Sequence, residues 1–287
     1  VDVAGWVAEA AAGSDEMTDL AHPEFVPDAS LSREEMEALQ YEVAETAIFE
    51  DAFDFDAGSV RAEATDEEQT HLPTGDETPA TNDSPVVVGV DQAFIDDLAV
   101  SALVASRDGE VIERVHAAVE TEIPYIPGLL SFREGTAILR AFEKLTVSPD
   151  LAMVDGSGRI HFRQAGIATH IGVMLDLPTV GVAKNLLCGE LRDPPQGYMD
   201  AGERVPVVAN SRVSAPGGTV IGYALQSRQY PNPEKRHINP LYVSSGHRVS
   251  AETTADLVWQ LCAGYKLPEP TRRADAYADD VKETVDT

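Results

Sequence analysis

Lysine is scarce in this chain, five residues against 16 arginines, and cysteine is scarcer still. Cys188 and Cys262 stand far apart with no C-x-x-C spacing, which excludes a disulfide framework and leaves a zinc site weakly supported. Two isolated thiols read as a reduced, intracellular protein. No stretch reaches the roughly 18 uninterrupted apolar residues that a membrane helix needs. Residues 1–12 are small and acidic without a basic start, so they do not read as a secretion signal, and a cytoplasmic protein with no membrane partner is expected. No G-x-S-x-G elbow is present, which disfavours a serine nucleophile, and no Walker or dinucleotide pattern surrounds Gly156-Ser157-Gly158.

Acid is what the chain has in excess. Forty-nine Asp and Glu face 21 Lys and Arg, a formal net charge of -28. The excess is uneven: residues 1–84 carry 23 acids against Arg33 and Arg61 alone. Carboxylates repel phosphates, so such a balance ordinarily argues against a nucleic-acid partner. It also suits a protein from a halophilic archaeon, kept soluble in molar salt, where the Debye length falls to roughly 3 Å and surface charge is screened. There, a local basic lining matters more than net charge, and Arg272-Arg273 is a candidate grip on phosphates through direct hydrogen bonds.

Residues 1–28 read as a disordered acidic N-terminus. Ser32-Arg33-Glu34-Glu35 is a capping-box pattern, and Met36, Leu39, Val43 and Ala47 follow at helical spacing. An amphipathic helix within 29–50, docked on the main body, is expected. Residues 51–84, rich in Thr, Asp, Glu and Pro, read as an acidic linker or loop. The main domain spans 85–287. Strands are expected at 86–91, 98–106, 110–119, 151–155, 179–183, 205–213, 219–226 and 241–243, with Asp108-Gly109 as a hairpin turn. Helices are expected at 132–145, capped by Ser131, at 165–176 and at 250–264. An antiparallel trio followed by alternating helices and strands is an α/β arrangement with a mixed sheet.

Chemistry-bearing residues crowd the stretch from Pro124 to Lys184. Asp91 and Asp155 each end a buried strand, where sites in open α/β sheets collect. Glu134 sits on the first turn of the helix after the hairpin. Three carboxylates brought together need a cation to offset their repulsion, and oxygen-only ligation suits Mg²⁺ or Mn²⁺. Each acid alone reads equally as a cap or turn former. Lys184, after a short apolar strand, reads either as a surface lysine or as a group that stabilises charge on a phosphate. His161, His170 and His247 are acid/base or ligand candidates, or packed histidines. Tyr125, flanked by Pro124 and Ile126-Pro127, is pre-oriented by proline and suits a wedge in a base stack, or else packs in the core.

The order Pro124-Tyr125-Ile126-Pro127-Gly128, Phe132-Arg133-Glu134-Gly135, Val154-Asp155-Gly156 with His161, Gly166 to His170, Gly181-Val182-Ala183-Lys184, Ser245-Gly246-His247 and Pro268-Glu269-Pro270-Thr271-Arg272 resembles the endonuclease V family. The resemblance spans about residues 86–280. It implies a ribonuclease H-like mixed sheet flanked by helices, here with an acidic N-terminal extension. It implies a Mg²⁺-dependent DNA repair endonuclease that recognises deoxyinosine and cuts the second phosphodiester on its 3′ side, leaving 3′-hydroxyl and 5′-phosphate ends. By motif, Asp91, Glu134 and Asp155 would hold the metal, with Lys184 and His247 supporting the site. Tyr125 would be the wedge. Gly128, Leu130, Gly156, Gly166, Ile167 and Leu187 would line the pocket for the flipped base, with His161 beside it. The protein is expected to act as a monomer. An inosine-specific endoribonuclease and a non-catalytic nucleic-acid-binding module on the same scaffold are the alternatives.

Overall fold

The computed structural model describes residues 20–62, 84–121 and 123–285. Parts of the expected N-terminal disorder and acidic linker, residues 1–19 and 63–83, lie outside them. Nine strands form one mixed sheet: β1 (Val86–Ile95), β2 (Leu98–Arg107), β3 (Glu110–Glu120), β4 (Leu151–Asp155), β5 (Thr179–Ala183), β6 (Glu190–Leu191), β7 (Arg204–Val208), β8 (Val220–Leu225) and β9 (Leu241–His247). Their order across the sheet is β3-β2-β1-β4-β5-β9-β8-β7-β6. β1, β4 and β5 run parallel and the remaining pairs antiparallel. Among the described residues five α-helices accompany the sheet: α1 (Arg33–Thr46), α2 (Leu130–Phe142), α3 (Ile167–Leu175), α4 (Ala251–Leu261) and α5 (Glu269–Val285). Among the described residues no helix is long and apolar enough to cross a membrane.

The first hairpin is set by its turn. Asp108 (φ 51) and Gly109 (φ 81) both take the left-handed backbone that a two-residue primed turn requires. Period-2 alternation then divides the central strands between two cores. Val86, Val88, Val90, Ala152 and Val154 face α2 and α3, where Ile138, Ile171 and Met174 are buried. Val87, Leu151 and Met153 face the other way, onto Leu257, Val258 and Leu261 of α4. Each such side chain, once buried, contributes roughly 1.5–3 kcal/mol.

α1 begins with the capping box expected of it. Ser32 Oγ accepts from the Glu35 amide, and Glu35 returns a carboxylate to the Ser32 amide at 2.7 Å. Its Met36 and Val43 are buried against the body. Residues 51–62 differ from the expected linker. Asp51 accepts from the Ser250 amide and the Thr253 hydroxyl at the start of α4. Phe53 and Phe55 stack at 4.4 Å between centroids, Val60 is buried, and Gln260 reaches the carbonyls of Ala57 and Val60. The acids that made this stretch read as a linker point outward while its aromatics pack.

Other departures are local. α2 starts at Leu130, and Ser131 does not cap it. The fully buried His170 donates through Nε2 to the Phe25 carbonyl (2.7 Å), so its Nδ1 accepts the Ser131 hydroxyl (2.8 Å). β7 ends at Val208 and β9 runs on to His247. α5 lies beyond the last expected helix altogether.

Candidate active site

Asp91, at the sixth position of β1, and Asp155, at the end of β4, lie on the same face of the sheet as Val87 and Leu151, because side chains alternate. α5 crosses this face. Its N-terminal turn presses onto β1 at Gly89, where an added Cβ would stand 1.9 Å from the Pro270 carbonyl oxygen. Only glycine permits that approach, and it delivers Asp275. Asp91, Asp155 and Asp275 then each offer a carboxylate oxygen, all within 4.8 Å of one another. Burial, followed by the charges of Asp155 and Asp275, pushes Asp91 up to about 7.

Asp275 was not among the residues singled out by motif. Its signal was an Ala274-Ala278-Val281 stripe, all buried, following the prolines at 268 and 270. The stripe is amphipathic, but the helix is polar overall and rich in acids, which hides Asp275 among its neighbours. Glu134, expected as the third ligand and on the first turn, is instead the fifth residue of α2, a helix packed on the other side of the sheet. It is buried and outside the three-oxygen cluster, yet it senses Asp91 and Asp155. Desolvation foremost, with those two charges and against the pull of Arg133, raises it to about 8.

Lys184 directly follows β5. Its Nζ lies 3.2 Å from Asp155 Oδ2 and 4.0 Å from Asp275 Oδ1. Burial opposes its charge, but Asp155 and Asp275 outweigh that and hold the ammonium above its usual value. Three carboxylate oxygens with one half-exposed ammonium form a hard, oxygen-only donor set. That chemistry fits a small divalent cation such as Mg²⁺ or Mn²⁺.

The structure does not bring His247 to this cluster. In the antiparallel pairing of β5 with β9, His247 stands opposite Thr179, whereas Asp155 is level with Val182. Several residues of strand, on the order of 10 Å, separate them. His247 accepts the Ile48 amide at Nδ1 (3.2 Å) and donates to Asp176 (3.1 Å), which Arg248 also grips. It ties the N-terminal segment to β9. Arg272 and Arg273 are likewise engaged internally, both on Glu269, with Arg273 also on the Gly109 carbonyl.

Beside the aspartates opens a cavity of about 460 Å³, within the usual range for small-ligand sites of roughly 300–1,000 Å³. Asp155 and Lys184 form the edge that it shares with the aspartate cluster. Tyr125, Pro127, Gly128, Leu130, Gly156, His161, Gly166, Ile167 and Leu187 all line it. Pro124 and Ile126 flank Tyr125 without lining the cavity. The N-termini of α2 and α3 both border it, and neither has a side-chain cap. Of their first-turn amides, that of Phe132 donates to the Leu129 carbonyl and that of Ala168 to the Ser157 carbonyl, so only the rest can meet acceptors on a ligand. His161 is buried. Its Nε2 donates to the Gly128 carbonyl (3.0 Å), its Nδ1 accepts from the Arg163 amide (3.2 Å), and burial lowers it to about 4, so it is neutral. Tyr125 is 67% exposed at the rim, so core packing does not account for it.

Comparison with known proteins agrees along most of the chain. A family model described as Endonuclease V matches residues 70–276. The endonuclease V of Haloarcula marismortui is 58% identical over 267 residues, covering 92% of this chain and 97% of its own. That of Halobacterium salinarum is 53% identical over 267 residues, covering 91% and 99%. Among solved structures, endonuclease V of Streptomyces avermitilis superposes with a TM-score of 0.69 at 29% identity, covering 89% of this chain and 95% of its own. Human ENDOV gives 0.68 at 28% identity, covering 89% and 100%.

Proposed function

This chain belongs to the endonuclease V family and has its ribonuclease H-like fold, and from that premise we propose that it recognises deoxyinosine in DNA and hydrolyses the second phosphodiester 3′ to it, leaving 3′-hydroxyl and 5′-phosphate ends. The observation that carries the proposal is the joining of the three-aspartate cluster to a partly open, base-sized pocket through Asp155 and Lys184. A site that only bound nucleic acid would have no use for three carboxylates facing a phosphate. The reading of inosine follows the Ciona intestinalis endonuclease V, a protein of the same fold crystallised with a 24mer DNA containing an inosine.

Asp91, Asp155 and Asp275 would hold Mg²⁺ or Mn²⁺. When bound, the cation supplies positive charge against the phosphate and acidifies water. Lys184 places a second positive group at the same edge, where charge develops on the phosphate. Glu134, close enough to feel the aspartates, is held protonated near neutral pH by burial and would add negative charge beside the cation only once it ionises. A flipped purine would enter the cavity with its edge toward the uncapped amides of α2 and α3. His161, neutral and fully hydrogen-bonded, holds the Gly128 wall rather than trading protons. Tyr125 would fill the gap left in the stack. The protein acts as a cytoplasmic monomer, where its buried free thiols Cys188 and Cys262 stay reduced.

A nicking assay on end-labelled duplexes tests this reading. In molar KCl with Mg²⁺, a duplex with one inosine is cut at the second bond on its 3′ side, and EDTA stops the reaction. Preferential cutting of a matched inosine RNA would make the chain an endoribonuclease instead. Replacing Tyr125 by alanine should weaken binding to the inosine duplex by about tenfold, the loss of roughly one stacking contact, while plain-duplex binding stays within about twofold. Equal loss on both duplexes would remove the wedge role.

A further inference from the structure

Gln40 sits in the middle of α1, a helix whose other inward residues are apolar. It is 1% exposed and lines the cavity. A buried amide persists only if its groups are satisfied, since an unmet donor or acceptor costs about 1–3 kcal/mol. Its Nε2 donates to the Gly128 carbonyl at 2.9 Å and lies 3.4 Å from the Ala165 carbonyl. Its Oε1 accepts from Arg163 Nε at 2.7 Å, and Arg163 is steadied by Glu37, one turn earlier on α1, at 3.5 Å. Arg163 can only donate, and both carbonyls can only accept, so the amide has one consistent orientation.

The two carbonyls are not incidental. Gly128 lies just ahead of α2, in left-handed backbone at φ +85, and Ala165 just ahead of α3. The starts of these helices are two walls of the pocket. Gln40 bridges them from a segment that precedes the 70–276 stretch matched by the family model. His161 donates to the same Gly128 carbonyl, so that peptide plane is pinned from two directions.

We propose that Gln40 is a positioning residue for base recognition: by bridging the peptides ahead of α2 and α3 it sets the separation of the two backbone walls, and so which base the pocket accepts. The inference rests on the function proposed above. Gln40 touches none of the aspartates, so its loss affects selection more than hydrolysis.

The test uses full-length protein in molar KCl. Gln40→Met keeps the volume and removes the bridge. Binding is measured by anisotropy in EDTA on inosine and plain duplexes, and single-turnover nicking with Mg²⁺ at saturating enzyme. The preference for inosine over plain duplex should fall at least about tenfold, while plain-duplex Kd and the saturated nicking rate stay within about threefold of wild type. If the variant is too unstable to assay, Gln40→Asn takes its place, since it keeps the amide but is too short to span both carbonyls. An unchanged preference in a folded variant overturns the proposal, as does an equal drop in binding to both duplexes. If wild type itself shows no preference for inosine, the functional reading fails first, and the two failures are told apart by that control.

Discussion

Asp155→Ala should lower the nicking rate on inosine duplex by at least about a thousandfold, a loss of roughly 4 kcal/mol of transition-state stabilisation. Asp155 is the one carboxylate that belongs to both the aspartate cluster and the pocket wall, and it is also the partner of Lys184 at 3.2 Å. Its removal takes away a cation ligand and frees the lysine from its position at once. Binding should behave differently. A negative charge facing the phosphate is lost, so affinity for the inosine duplex in EDTA should hold or rise. The measurement is single-turnover nicking beside anisotropy on one preparation. A variant that still cuts within tenfold of wild type would mean that the cation is held elsewhere. One that loses binding and cutting together would mean that Asp155 supports the pocket's shape and not its chemistry.

The second large effect is on stability. Asp91 is held up to about 7 and Glu134 to about 8, both mainly by burial, whereas in the unfolded chain each ionises near 4. Between about pH 4 and pH 8 these two groups bind more protons in the folded state, but buried His161 and His170, lowered to about 4 from near 6.5, bind fewer, so the net fall of stability with rising pH is confined to about pH 6.5 to 8. Above about pH 8 the penalty is complete. A cation between the carboxylates offsets it, so its benefit should grow with pH and its binding should release protons. At 100 times its Kd a ligand stabilises by about 2.7 kcal/mol, which for a chain of this size raises Tm by roughly 5–10 °C. That gain is expected with Mg²⁺ at pH 8 and should shrink to about 2 °C or less at pH 5. Asp91→Asn should raise the cation-free Tm at pH 8 and erase most of the Mg²⁺ response. Melting curves in constant molar KCl decide the matter: a Mg²⁺ shift that ignores pH, or a drop in cation-free Tm on Asp91→Asn, would refute the account.

Much of this site could be read before any coordinates. Asp91 and Asp155 announce themselves by following short apolar runs that read as buried strands, although only Asp155 ends its strand, since β1 runs on past Asp91 to Ile95. Tyr125 and Gly156 stand out because proline and glycine constrain or free the backbone in ways that local sequence exposes, whereas Gly128 and Gly166 come from the family resemblance alone. What escaped depends on long-range geometry. His247 was assigned to the site by motif, but the antiparallel register of β9 carries it toward the other end of the sheet. Asp275 escapes because its helix, though amphipathic, is polar overall and acid-rich, so one more acid in it draws no notice. Gln40 was invisible for the opposite reason, being a polar residue between apolar neighbours whose partners are 88 and 125 residues away. Residues 51–62 were misjudged because composition averages over acids that face solvent and aromatics that do not.

The contact of α5 with β1 at Gly89 has a consequence for the protein's birth. Synthesis runs from N- to C-terminus, and Asp275 follows Asp91 by 184 residues. Until α5 leaves the ribosome and settles on the bare glycine backbone, only Asp91 and Asp155 can face each other. A chain that stops short of α5 thus lacks one of the three carboxylates on which the proposed chemistry depends.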